Sequence, residues 1–130
     1  MNNIIHKALS DQLIGLAYTV HNILGPGLLE SAYEEGMVWE LKHANIPFDR
    51  QRVHPLKYKG DIIGGYIADL VVDNKVILEL KSVAALNAMM DAQLINYLKL
   101  SRIPVGYLIN FQGTRVEWRR LVGRREDHSP

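Results

Sequence analysis

Three charged residues, Asp69, Glu79 and Lys81, are set into two runs that are otherwise almost wholly apolar. The runs are Gly64-Gly-Tyr-Ile-Ala-Asp-Leu-Val-Val-Asp73 and Lys75-Val-Ile-Leu-Glu-Leu-Lys-Ser82. Their β-branched content, and the polar Asp73-Asn74-Lys75 between them, predict the two strands of a buried hairpin. An unpaired carboxylate in such a place costs roughly several kcal/mol. Two carboxylates side by side also repel each other. A chain that tolerates both costs needs the charges, and a divalent cation is the simplest thing that would require them.

A three-residue loop at Asp73–Lys75 pairs Val72 with Val76 and sets Asp69 opposite Glu79. Directly opposed residues have Cβ atoms about 4.5–5.5 Å apart. Glu79 and Lys81 are two residues apart and share a strand face. A two-residue loop would shift the register and separate the three groups, and the sequence leaves both loops open. Hard oxygen ligands of this kind suit Mg²⁺, with Mn²⁺ as a substitute. Beside a phosphate, such an ion polarises the phosphoryl oxygen and lowers the pKa of the attacking water. Lys81 would orient that water or neutralise charge in the transition state. The plainer readings are a buried carboxylate–lysine ion pair, which leaves one of two carboxylates unneutralised, and a solvated hairpin edge.

The rest of the chain bounds the setting. Its 130 residues, 48% hydrophobic and 22% charged, suit one soluble globular domain, expected over residues 1–122 with a frayed tail at 123–130. No apolar run approaches the roughly 20 residues that span a bilayer. The N-terminus lacks a signal-peptide layout. With no cysteine there is neither a disulfide nor a thiolate metal site, which fits the cytoplasm. The net charge of +1 neither demands nor excludes nucleic acid. Arg115, Arg119, Arg120, Arg124 and Arg125 cluster near the C-terminus, as a solvated edge and tail or as a phosphate-contacting patch.

Periodicity predicts a helix over 11–24 with Ser10 as N-cap and Gly25 at the left-handed end, then a second helix over 28–44. A strand interrupted by Pro55 follows at 48–58, edge-like or bulged. The hairpin strands are expected at 62–72 and 76–81. Asn87 is placed to cap a helix over 88–102, and strands follow at 105–111 and 114–121. The order is α-α-β-β-β-α-β-β. It implies an α/β (α+β) fold, a mixed central sheet with flanking helices.

The pattern Asp69-x9-Glu79-Leu80-Lys81 resembles the signature of the PD-(D/E)xK nuclease superfamily, although Ile67-Ala68 stands where its proline would be. Gly27-Leu-Leu-Glu30-Ser-Ala-Tyr33 fits Gly-x-x-Glu-x-x-Tyr, and Gln93-Leu-Ile-Asn96-Tyr97-Leu98 fits Gln-x-x-Asn-Tyr-Leu. Together they resemble the small GxxExxY proteins of that superfamily over about residues 5–121. The resemblance implies a restriction-endonuclease-like core. It implies Asp69, Glu79 and the Leu80 carbonyl as metal ligands, with Glu30 a further candidate, Lys81 as the catalytic lysine, and Gln93 reaching in from the third helix. Tyr33 and Tyr97 would shape the pocket. Each has a plainer reading: Glu30 as a helix-start carboxylate with Gly27 as N-cap, Gln93 as partner of a backbone group, both tyrosines as core aromatics. No histidine pair has metal-ligand spacing; His21 lies near Glu30 only if the Gly-Pro-Gly turn brings them together.

Two functions follow as expectations. One is a Mg²⁺-dependent nuclease, most readily a DNA nuclease, with a metal-activated water attacking phosphorus near Lys81. The other is a catalytically silent nucleic-acid-binding or assembly module that keeps the fold. A homo-oligomer would let so small a nuclease address both strands.

Overall fold

The computed structural model describes residues 4–123. Most of the expected tail, including Arg124 and Arg125, lies outside the described residues. Eight elements run in chain order: α1 (Lys7–Leu24), α2 (Glu30–His43), β1 (Phe48–Tyr58), β2 (Asp61–Val72), β3 (Val76–Lys81), α3 (Ala88–Ser101), β4 (Val105–Asn110) and β5 (Glu117–Val122). The sheet order is β1-β2-β3-β4-β5. Among the described residues only the β3–β4 pair is parallel, and α3 is its crossover. This is the mixed α/β architecture that the element order predicts.

The helices divide between the two faces of the sheet. On one face, Leu13, Ala17 and Val20 of α1 and Tyr33, Met37 and Leu41 of α2 pack on Val76, Leu78, Leu80, Val105 and Ile109. On the other, Leu94, Tyr97 and Leu98 of α3 pack on Ala68, Val71, Ile77 and Leu108. Gly106 lets α3 approach β4 closely: a Cβ there would stand 2.9 Å from a Leu94 methyl.

Several boundaries differ from expectation, each for a tertiary reason. The first helix starts at Lys7, so Ser10 lies inside it, buried, with its hydroxyl accepting from Arg120 of β5. The second helix starts at Glu30 with Leu29 as N-cap, so Glu30 occupies its first position and Gly27 does not cap it. Asn87 caps α3 as expected, accepting from Met90 N–H at 3.0 Å. The run from Gly64 is buried only from Ala68 onward. Ile62, Ile63 and Ile67 are exposed because the outer half of the β1–β2 hairpin extends past its pairing with β3.

The Arg run near the C-terminus is partly turned inward. Arg119 pairs with Asp91 of α3 at 2.7 Å, and Arg120 donates to Tyr107, Ser10 and the Ile5 carbonyl. Those two guanidinium groups tie β5 to α3 and to the N-terminal segment.

Candidate active site

The hairpin loop is the three-residue one. β2 and β3 pair Val72 with Val76, Val71 with Ile77 and Leu70 with Leu78. Asp73 and Asn74 take left-handed backbone at φ 50° and 57°, which short polar side chains tolerate better than most. Asp69 and Glu79 do not form the expected cross-strand pair, because the ladder ends one step earlier, at Leu70 and Leu78. There the Asp69 carboxylate takes the place of a backbone acceptor: its Oδ2 receives the Leu80 N–H at 2.8 Å. The two strands fork around that side chain.

The fork coincides with a reversal in β2. Ala68 and Val71 are three apart yet pack on the same α3 face, where regular alternation would separate them. Opposite the reversal, β1 holds Gln51 at φ 49°, and its amide donates to Asp69 Oδ1 at 3.3 Å. Both Asp69 oxygens are thereby oriented by the protein.

Glu79 projects to the α3 face, between Leu78 and Leu80 whose side chains enter the opposite core. It accepts from the Asp69 backbone N–H and, when protonated, donates to the Asp69 carboxylate. Burial, and then the neighbouring Asp69 carboxylate, push the Glu79 carboxyl up to about 8, while Lys81 pulls the other way. Lys81 has no carboxylate within ion-pair distance among the described residues. The simple carboxylate–lysine bridge is therefore not what the fold builds. Instead Glu79 and Lys81 line one cavity of about 220 Å³ with Gln93, Tyr97, Tyr66 and Met90. Gln93 sits exposed on α3 at this cavity, with no hydrogen-bond partner among the described residues. Tyr97 is anchored by its hydroxyl, which donates to the Arg52 carbonyl at 3.0 Å, and burial pushes that phenol up.

The fold separates the other expected residues from this cavity. Glu30 stands at the start of α2 and accepts from Ser82 N–H at 3.3 Å, just past the end of β3. No three His, Cys, Asp or Glu side chains among the described residues stand together as a ready metal cluster, so Glu30 does not complete a triad with Asp69 and Glu79. Tyr33 does not line the cavity. It is fully buried on the α1–α2 face, stacked on Phe111 at 4.5 Å, with its hydroxyl donating to Gly25 C=O at 2.7 Å and accepting from Leu28 N–H at 3.0 Å. His21 is engaged elsewhere: its ring stacks with Phe111 and its Nε2 bonds the Gly113 carbonyl at 2.8 Å.

Two contributors escaped the sequence reading. Asn110, buried at the end of β4 beside Lys81, clasps Val83 N–H and C=O and so fixes the exit of β3. An Asn ending a six-residue apolar strand was a readable signal. Gln51 carried none, standing in the polar run Asp49-Arg-Gln-Arg52.

A family model described as the PD-(D/E)XK nuclease superfamily matches residues 7–121. The chain belongs to that superfamily. The solved structure of SSO0001 shares its fold, with a TM-score of 0.55 at 18% identity, over 90% of this chain and 59% of that one. This chain thus spans less than two thirds of the SSO0001 chain. A search of curated proteins found no match.

Nucleases of this superfamily generally use divalent metals, usually Mg²⁺. The donor chemistry here fits such an ion. Of two touching carboxylates one is pushed up to about 8 by burial and by the other, so the metal-free site holds a proton that a cation would replace. The Leu80 N–H points to Asp69, and a strand residue presents its N–H and C=O to the same neighbour, so the Leu80 carbonyl faces the fork as well. Two carboxylates and a carbonyl suit Mg²⁺, which keeps several waters rather than filling its shell with protein.

Proposed function

We propose that this chain is a cytoplasmic, Mg²⁺-dependent phosphodiester hydrolase acting on DNA, of the GxxExxY group within its superfamily. The observation that carries the reading is the fork: Asp69 and Glu79 touch where β2 leaves β3, beside a cavity onto which an unpaired Lys81 opens. Gly27, Glu30 and Tyr33 supply the group motif. A divalent ion held by Asp69, Glu79 and the Leu80 carbonyl would supply Lewis-acid polarisation of the phosphoryl group and a lowered water pKa.

The chain's own groups do the rest. Lys81 orients the attacking water and offsets the charge that builds on the phosphoryl oxygens. Gln93, free on α3, hydrogen-bonds water or a phosphate oxygen at the cavity. Tyr97 and Tyr66 wall the cavity and reduce its water content. Glu30 organises the Ser82 end of β3. A second copy of the chain would bring a second site to the opposite strand.

Purified protein should cleave DNA with Mg²⁺ or Mn²⁺, and Asp69→Ala and Lys81→Ala should each slow cleavage by about 100-fold or more. Equal cutting by Lys81→Ala, or no cleavage of any single- or double-stranded DNA or RNA, would sink the reading. The inward turn of Arg119 and Arg120, which removes two cations from any phosphate track, favours one alternative, a catalytically silent assembly module. That module would neither cleave DNA nor show metal-dependent binding of it that Asp69→Ala removes in calorimetric titration.

A further inference from the structure

Gln51 stands inside β1 in a left-handed conformation, φ 49°, that residues with a full side chain seldom adopt. Gly, Asn and Asp are the usual occupants of that region. The β1–β2 ladder pairs Arg50 with Leu70 and Arg52 with Ala68 and skips the pair between them. The residue facing Gln51 across that gap is Asp69.

One amide holds the distorted residue. Its Nε2 donates to Glu34 Oε1 at 2.8 Å and to Asp69 Oδ1 at 3.3 Å. Glu34 is itself fixed, with its Oε2 receiving Arg50 Nε at 3.2 Å and Nη2 at 2.8 Å, and its side chain is only 12% exposed. A continuous set of contacts thus runs from α2 through Glu34 and Gln51 to Asp69, whose other oxygen is held by Leu80 N–H. Strained backbone persists where its surroundings over-determine it, and it clusters at functional sites. Here the contacts that hold the strain end on a carboxylate at the fork.

We propose that Gln51 is a positioning residue for divalent-cation binding: its amide fixes the rotation of the Asp69 carboxylate at the β2–β3 fork. The inference rests on Asp69 and Glu79 being the metal ligands. An amide NH₂ is a neutral donor, so it orients the carboxylate without competing for the cation or adding charge. Outer partners of a ligand commonly change metal affinity by about 10–100-fold. Gln51 does not line the cavity, so its effect passes through Asp69.

The test is Mn²⁺ titration by calorimetry of the metal-free full chain, with no nucleic acid present. Gln51→Gly removes the amide and also relieves the left-handed backbone, so the variant should fold at least as well as the parent. Its Kd for Mn²⁺ should rise about tenfold or more, with the thermal midpoint unchanged or higher. Glu34→Ala, which frees the amide from its anchor, should weaken binding less. The double variant should be no weaker than Gln51→Gly alone, because both changes break one set of contacts. If the parent binds Mn²⁺, Asp69→Ala abolishes binding and Gln51→Gly leaves Kd unchanged, the role of Gln51 is overturned while the metal site stands. If the parent shows no Mn²⁺ binding that Asp69→Ala removes, the metal site and the role of Gln51 fall together.

Discussion

The two faces of β3 have opposite characters. Val76, Leu78 and Leu80 enter a dry core under α1 and α2, each at most 1% exposed. Glu79 and Lys81, between and beyond them, open on a cavity beneath α3. The period-two alternation of a strand is what allows this, since neighbours one residue apart never share a face. A six-residue strand thereby does two tasks: its apolar half fixes where the backbone lies, and its charged half inherits that rigidity. The α3 face is the thinner of the two, with the outer β1–β2 hairpin left uncovered, so it has room for a cavity.

The largest expected effect lies on the dry face. Leu78→Ala empties a fully buried site and should cost about 2–5 kcal/mol in urea unfolding. Lys81→Ala, three positions on, should change stability by less than about 1 kcal/mol while cleavage collapses. A Leu78→Ala protein as stable as the parent, or a Lys81→Ala protein that loses as much stability as Leu78→Ala, would break the division between the faces.

The same division explains what could be read from the sequence. The β3 face pattern was legible because Glu and Lys at alternate positions of an apolar run have few explanations. The turn was legible because Asp73 and Asn74 are short polar residues suited to left-handed backbone, but the sequence left its loop length, and so the register, open. The consequences of long-range contacts were not legible. Ser10 looks like a helix cap, yet it is buried because a β5 arginine reaches it from 110 residues away. The reversal of β2 at Asp69 has no local signature, since the distortion is shared with Gln51 on another strand. The family motif placed Tyr33 at the pocket, and its spacing could not say which side of the sheet the tyrosine would occupy.

A second, smaller effect belongs to the charged face and depends on pH. In the folded, metal-free chain the Glu79 carboxyl sits at about 8, well above its ordinary value. The folded state therefore holds a proton that the unfolded chain gives up at lower pH. Stability is fully present below the ordinary carboxylate range and is lost as pH rises toward and through about 8. In EDTA the parent should lose on the order of 2 kcal/mol between pH 5 and 8.5, the open cavity moderating the full linkage. Glu79→Gln should flatten that slope, and Mg²⁺ should reduce it in the parent by replacing the proton with a cation. A slope identical in parent and Glu79→Gln would mean that the charged face costs nothing, contrary to its burial.

The smallest effect tests where the faces meet. The Tyr33 hydroxyl bridges Gly25 C=O and Leu28 N–H, and so sets the loop whose Leu28 carbonyl accepts from Ser82 just beyond Lys81. Tyr33→Phe keeps the stacking on Phe111 and removes only the bridge. It should cost about 1 kcal/mol, the scale of a part-buried hydrogen-bond loss, read as a shift in the urea midpoint. Mn²⁺ affinity should stay within about twofold of the parent, because neither Asp69 nor Glu79 touches that loop. A tenfold loss of affinity without a loss of stability would place Tyr33 in the site after all, acting through Leu28 and Ser82 on the end of β3. The dry face would then be part of the chemistry rather than its support.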